Sequence, residues 1–216
     1  MVKKATKKEI QEIREIFVKH YSDAVTELEY KNLFELLISV MLSAQCTDKR
    51  VNIITPALFK KYPTPELLAL ADLDEVKTFI NTCSFFNNKA KNLIKMANQV
   101  MTEFNKEIPL NEKSLISLAG VGQKTANVVM IEYTGANLMA VDTHVFRVSH
   151  RLGLSDEKSA IKTEEQLTKK FKTHLHILHQ AMVLFGRYIC KSKKPLCESE
   201  CFMVEYCKSK EAFKPA

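Results

Sequence analysis

Hydrophobic residues recur at helical spacing almost from one end of this chain to the other, and nowhere do they alternate as a half-buried strand requires. Ile10, Ile13, Ile16 and Phe17 share one face of an N-terminal helix, and Leu33, Leu36, Leu37, Val40 and Met41 repeat the pattern in the next. Local signals agree. Thr64-Pro65-Glu66 reads as an N-cap, a proline at the first helical position and an early acid. Thr163 to Gln166 has the spacing of a capping box, and Gly135 and Gly153 suit left-handed helix caps. The pattern predicts an all-α protein without repeats, low-complexity tracts or an evident linker. At 216 residues, 46% hydrophobic and 26% charged, it can bury one large core or two modest ones, which excludes a disordered chain.

A net charge of +7 favours a polyanionic partner. Nucleic acid comes first, because each neutralised phosphate releases bound counterions. An anionic membrane would call for a basic amphipathic segment or a lipid signal, and neither is legible. The longest apolar stretches are far too short to span a bilayer. Met1-Val2-Lys3-Lys4 runs into a charged helical pattern without an apolar core, so no secretory signal is expected, and the expectation is a cytoplasmic protein. Nothing points to an oligomer, and a monomer is the default.

Two of only five glycines fall in Leu118-Ala119-Gly120-Val121-Gly122-Gln123-Lys124-Thr125-Ala126. Gly120 and Gly122 bracket a short turn and are expected to take positive φ, leaving backbone N–H groups at the start of the next helix to hold a phosphate. A nucleotide-binding P-loop needs lysine directly after its last glycine; Gln123 intervenes and excludes it. A plain helix-turn-helix corner with a solvated lysine remains the alternative. In Ala140-Val141-Asp142-Thr143-His144-Val145-Phe146-Arg147, Asp142 stands where a helix begins, a position that suits a cap. A lysine at one helix start and an aspartate at another can instead converge on one cleft. Partial desolvation there would favour the neutral amine that a nucleophilic lysine needs.

Cys190, Cys197, Cys201 and Cys207 crowd the C-terminal stretch with six, three and five residues between them, whereas Cys46 and Cys83 stand apart as ordinary buried thiols. In a reducing compartment, clustered thiolates suit zinc or an iron–sulfur cluster rather than disulfides, and the paired knuckles of structural zinc are missing. Lys191, Lys193 and Lys194 lie in the first cysteine loop; pinned by a metal, they would offer phosphates a rigid basic surface, with plain solvated charge as the alternative. His174, His176 and His179 lack a carboxylate or cysteine to complete a metal set and read as packing or surface residues.

Taken together, these segments resemble the endonuclease III family. Leu118–Val129 is similar to its helix-hairpin-helix, and Ala140–Arg147 to its aspartate-bearing loop. Leu42-Ser43-Ala44-Gln45 with Thr47-Asp48, and Leu184–Cys190, match in order. The resemblance implies a two-lobed helix-hairpin-helix glycosylase fold: a six-helix barrel over residues 26–136, and a discontinuous helical lobe of residues 1–25 and 137–216 closed by a [4Fe–4S] cluster, with damaged double-stranded DNA in the cleft between. It assigns the nucleophile to Lys124 and the catalytic aspartate to Asp142. Gln45 would fill the gap left by a flipped base, Phe85 would wedge into the duplex, and Gly120, Val121, Gly122 and Lys193 would meet the backbone. The four C-terminal cysteines would be the cluster ligands, although the gap from Cys197 to Cys201 is one residue longer than the family's usual spacing. Ser84-Phe85 likewise departs from the family's usual pair. The implied activity is excision of oxidised pyrimidines with strand cleavage through a lysine Schiff base. A non-catalytic helix-hairpin-helix clamp has no need of Lys124 and Asp142, and monofunctional relatives generally lack the lysine.

Overall fold

The computed structural model describes residues 4–209. They form eleven α-helices and no strand: α1 (Lys7–His20), α2 (Leu33–Ser43), α3 (Asp48–Lys61), α4 (Pro65–Ala69), α5 (Leu73–Ile80), α6 (Phe86–Glu103), α7 (Glu112–Ser117), α8 (Gln123–Thr134), α9 (Thr143–Arg151), α10 (Ala160–Phe171) and α11 (Leu175–Tyr188). None is long and apolar enough to cross a membrane. The chain divides into two compact units, Thr26–Thr134 and the segments on either side of it.

The Thr26–Thr134 unit is built around α2. Phe34 to Leu42 are all buried, and the helix packs against α3, α6 and α8. Leu36, Leu37, Ile38 and Leu42 lose all contact with solvent, each contributing roughly 1.5–3 kcal/mol of transfer free energy. Buried Glu35 is tolerated because its Oε2 accepts from Lys31 N at 2.8 Å. α4 and α5 lie on α6, and α7 on α8. Thr64 caps α4 with Pro65 in its first turn, as the local signals indicate.

In the other unit α1 packs on α10 and α11, and α9 packs on α11. A full capping box starts α1: Thr6 Oγ1 accepts from Glu9 N, and Glu9 Oε2 accepts from Thr6 N. The core closes on Phe185, whose ring lies 5.4 Å from that of Phe17 and 5.2 Å from that of Phe202. Gly186 lets α9 and α11 approach, since a Cβ there would stand 2.9 Å from His144 Cβ. The capping box expected at Thr163 is absent. Ser159, four residues earlier, caps α10 by accepting from Lys162 N, and Thr163 is carried into the helix, buried beside Ser155 Oγ. Gly135 and Gly153 take positive φ as expected.

Candidate functional site

The turn between α7 and α8 is tight because Gly120 alone of its two glycines adopts positive φ, +78°. The expectation for Gly122 is corrected: its φ is not positive, and open space surrounds it. Val121 is buried and its N–H donates to Leu118 O at 3.1 Å, so the side chain anchors the turn. The N–H groups able to hold an anion are therefore those that follow, in the first turn of α8, which a helix leaves without internal partners. Gln99 from α6 clamps the hairpin, its Oε1 accepting from Ala119 N at 2.7 Å and its Nε2 donating to Ser117 O at 3.1 Å. Gln123, the residue that excludes a P-loop, ties α8 to α7 by donating to Glu112 Oε1 at 2.7 Å. Lys124 follows with its side chain exposed.

Gln45 and Phe85 stand at two other turns of this unit, both exposed and both left-handed, at φ 56° and 58°. Phe85 keeps 62% of its surface in solvent, so its ring is not packed into the core. An aromatic residue in that conformation costs about 1–2 kcal/mol, a strain that packing does not repay when the ring points outward. Lys89 joins the two turns. Its Nζ donates to Leu42 O and Ala44 O, each at 2.7 Å, while its backbone N donates to Phe85 O at 3.0 Å. Burial lowers the pKa of this ammonium below its ordinary value. The start of α6 thus gathers all three turns: Phe85 at its N-cap, Lys89 against the Gln45 turn, and Asn92 against Gly120.

In the second unit Asp142 is the N-cap of α9, with Oδ1 accepting from His144 N and Val145 N at 2.8 Å each. The carboxylate is half-buried.

All four C-terminal cysteines line one cavity, with Phe185, Ile189, Pro195 and Met203 among its walls. Arg151 Nη1 donates to Cys190 Sγ at 3.3 Å and to Lys191 O at 2.7 Å, and Arg147 Nε donates to Cys190 O at 2.9 Å. Burial and the neighbouring thiols push Cys201 up to about 11 and raise Cys197 and Cys207. Raised in this way the groups stay neutral thiols, and a cationic group among them would be needed to hold them all as thiolates. Among the described residues no three His, Cys, Asp or Glu side chains close on a single metal ion. The cavity brings together four cysteine sulfurs, a donor set that zinc and iron–sulfur clusters both take. Lys193 is exposed in the loop after Cys190. His179 is a buried packing residue bonded to Ala140 O at 2.8 Å.

Comparison with known proteins decides the family. Residues 38–173 match the model of the HhH-GPD superfamily of base excision DNA repair proteins. The chain is 44% identical to endonuclease III of Rickettsia felis over 202 residues, covering 92% of this chain and 93% of that one. It is 40% identical to endonuclease III of Escherichia coli, covering 86% and 88%. The chain belongs to the endonuclease III family. It also superposes on a solved non-covalent endonuclease III–DNA complex with a TM-score of 0.91 at 40% identity, over 96% of this chain and 98% of that one. A trapped covalent endonuclease III–DNA intermediate matches equally well. A thermostable thymine-DNA glycosylase at 23% identity, TM-score 0.83, shares the fold. Membership in the endonuclease III family makes the protein a base excision enzyme, a DNA glycosylase and abasic-site lyase.

Sequence reasoning passes over two features of the site. Lys89 caps carbonyls more than forty residues away, which no local pattern announces. Cys46 and Cys83, read as unrelated thiols, have their sulfurs 3.2 Å apart.

Proposed function

We propose that this endonuclease III relative excises oxidised pyrimidines from duplex DNA and cuts the strand 3′ to the abasic site, with Lys124 as nucleophile. The observation that carries the proposal is the exposed Lys124 amine in the first turn of α8, directly after the Gly120 hairpin. Backbone phosphate docked at that helix start would bring the amine to the sugar of a flipped nucleotide. Its lone pair attacks C1′, the glycosidic bond breaks, and the base leaves with its electron pair and a proton. Ring opening gives a Schiff base. Loss of a C2′ proton then expels the 3′ phosphate, and hydrolysis of the imine releases Lys124. The partial desolvation expected at this helix start is not found in the free protein, where Lys124 is exposed.

Asp142 would take the amine proton or stabilise positive charge developing on the sugar. Its α9 cap bonds fix the carboxylate for that task. Gln45 and Phe85 would fill the flipped base's place and wedge the stack, and their exposed, strained turns support this. Cys190, Cys197, Cys201 and Cys207 would hold a [4Fe–4S] cluster whose contribution is structural, pinning the loop that offers Lys193 to phosphate.

Borohydride trapping on a duplex with one oxidised pyrimidine tests the proposal. Wild type should give a covalent adduct and a nicked strand, and Lys124→Ala should lose both by on the order of 10³-fold or more. An adduct that survives in the mutant would move the chemistry to another amine. Base release without a nick would make the enzyme monofunctional, and binding alone would make it a clamp.

A further inference from the structure

Cys46 and Cys83 are the two cysteines with no place in the cavity at the C-terminus. They belong to different turns of the Thr26–Thr134 unit, yet Cys83 Sγ donates to Cys46 Sγ across only 3.2 Å. A disulfide needs about 2.05 Å between sulfurs, so a shift of roughly one ångström in total separates the dithiol from a bond. Cys46 directly follows Gln45 and is half-exposed, while Cys83 lies two residues before Phe85 and is 3% exposed. Lys89 already bridges the same two turns through Ala44 O and Phe85 O. The thiols thus sit across the joint between the two exposed left-handed turns.

We infer that Cys46 and Cys83 are a redox modification site: a small disulfide converts them to an intramolecular disulfide that staples the Gln45 turn to the Phe85 turn and weakens binding to lesion DNA. The second half rests on the roles proposed above for Gln45 and Phe85. The chemistry balances. The Cys46 thiolate attacks one sulfur of the oxidant RS–SR, and one RS⁻ leaves with the bonding pair. Cys83 gives up its proton and attacks Cys46 Sγ, expelling the second RS⁻. Two protein thiols have lost two electrons in all, and two RSH are formed. The order follows from the environment. Burial, then the hydrogen bond and charge of Cys46, raise Cys83, so it waits as the resolving thiol, while the cations of Lys89 and Arg50 favour its later ionisation. Once joined, the turns are tied covalently as well as through Lys89, and drawing the sulfurs together by about 1 Å displaces the left-handed residues that flank them, Gln45 and Phe85.

The test equilibrates the purified holoprotein with glutathione buffers of graded oxidised fraction, followed by peptide mapping and lesion-duplex affinity. Wild type should yield a dithiothreitol-sensitive peptide pair joining Cys46 to Cys83, with the C-terminal cysteines unlinked to either. Its affinity should fall at least threefold and recover on reduction, whereas Cys46→Ser should show neither the link nor the loss. Glutathione adducts without a Cys46–Cys83 link would overturn the assignment. A link with unchanged affinity would overturn the switch. The mapping needs no activity, so reduced protein that neither binds nor traps on lesion duplex would count against the proposed function while the fate of the dithiol is still decided.

Discussion

A Cβ added to Gly120 would lie 2.8 Å from Asn92 Cβ, backbone-anchored on α6 and unable to swing away. Gly120 also holds φ +78°, so a side chain there is strained twice. Gly120→Ala should cost about 1–3 kcal/mol of stability and pull the hairpin off α6. Gly122→Ala, with nothing within 4 Å of its Cβ, should stay within about 0.5 kcal/mol of wild type. Chemical denaturation of the two variants side by side separates the roles of the two glycines; equal losses would contradict the geometry.

Asp142 invites a test that divides capping from chemistry. Asparagine caps a helix nearly as well as aspartate, so Asp142→Asn should change stability by only a few tenths of a kcal/mol, while base release falls on the order of 10²–10⁴-fold. Asp142→Ala should lose the cap as well, at a cost of about 1 kcal/mol. If the asparagine variant keeps full single-turnover activity, Asp142 is a cap and nothing more.

Asp142 also marks where the sequence is legible. Asp142 as a cap can be read locally, because the aspartate's reach to the N–H groups two and three residues on is a property of a few consecutive residues. Thr6 with Glu9 carries an equally local signal that the periodicity argument passes over. At Thr163 the local spacing misleads: Ser159, four residues earlier, caps α10, and Thr163 lies inside the helix, buried against Ser155. What cannot be read locally is tertiary. Lys89 over Ala44 O and Cys83 against Cys46 depend on α6 folding back beside the end of α2, and no spacing in the chain encodes that meeting.

Tyr62 carries a pH dependence independent of the chemistry. Its hydroxyl donates to Glu75 Oε2 at 2.5 Å, and burial first, then that carboxylate, push the phenol from its ordinary 10.0 up to about 12. The folded state therefore favours the neutral phenol over the range in which the unfolded chain ionises. The sign follows: this contribution is whole below pH 10 and is lost as pH rises towards 12. Urea unfolding from pH 9 to 12 should show wild type losing on the order of 1 kcal/mol more than Tyr62→Phe across that window. Parallel curves would remove the Tyr62–Glu75 bond as the cause.

The cysteine cavity and the lysines beside it make a linked prediction about salt. Lys191, Lys193 and Lys194 are all exposed in the segment between Cys190 and Cys197, and Arg151 holds its backbone through Lys191 O and Ser192 O. If this loop meets phosphate, replacing all three lysines with alanine should lower the slope of log K against log salt by about 1–2. The lesion preference should stay the same, since phosphate contacts position a protein without reading bases. If the cavity holds the proposed [4Fe–4S] cluster, Cys197→Ser should flatten the slope similarly, because a loop released from it no longer holds the lysines in register, and iron content should fall from about four per chain. A triple-alanine protein with the wild-type slope would leave the lysines as solvated charge. A Cys197→Ser protein that keeps its iron would remove Cys197 from the ligand set.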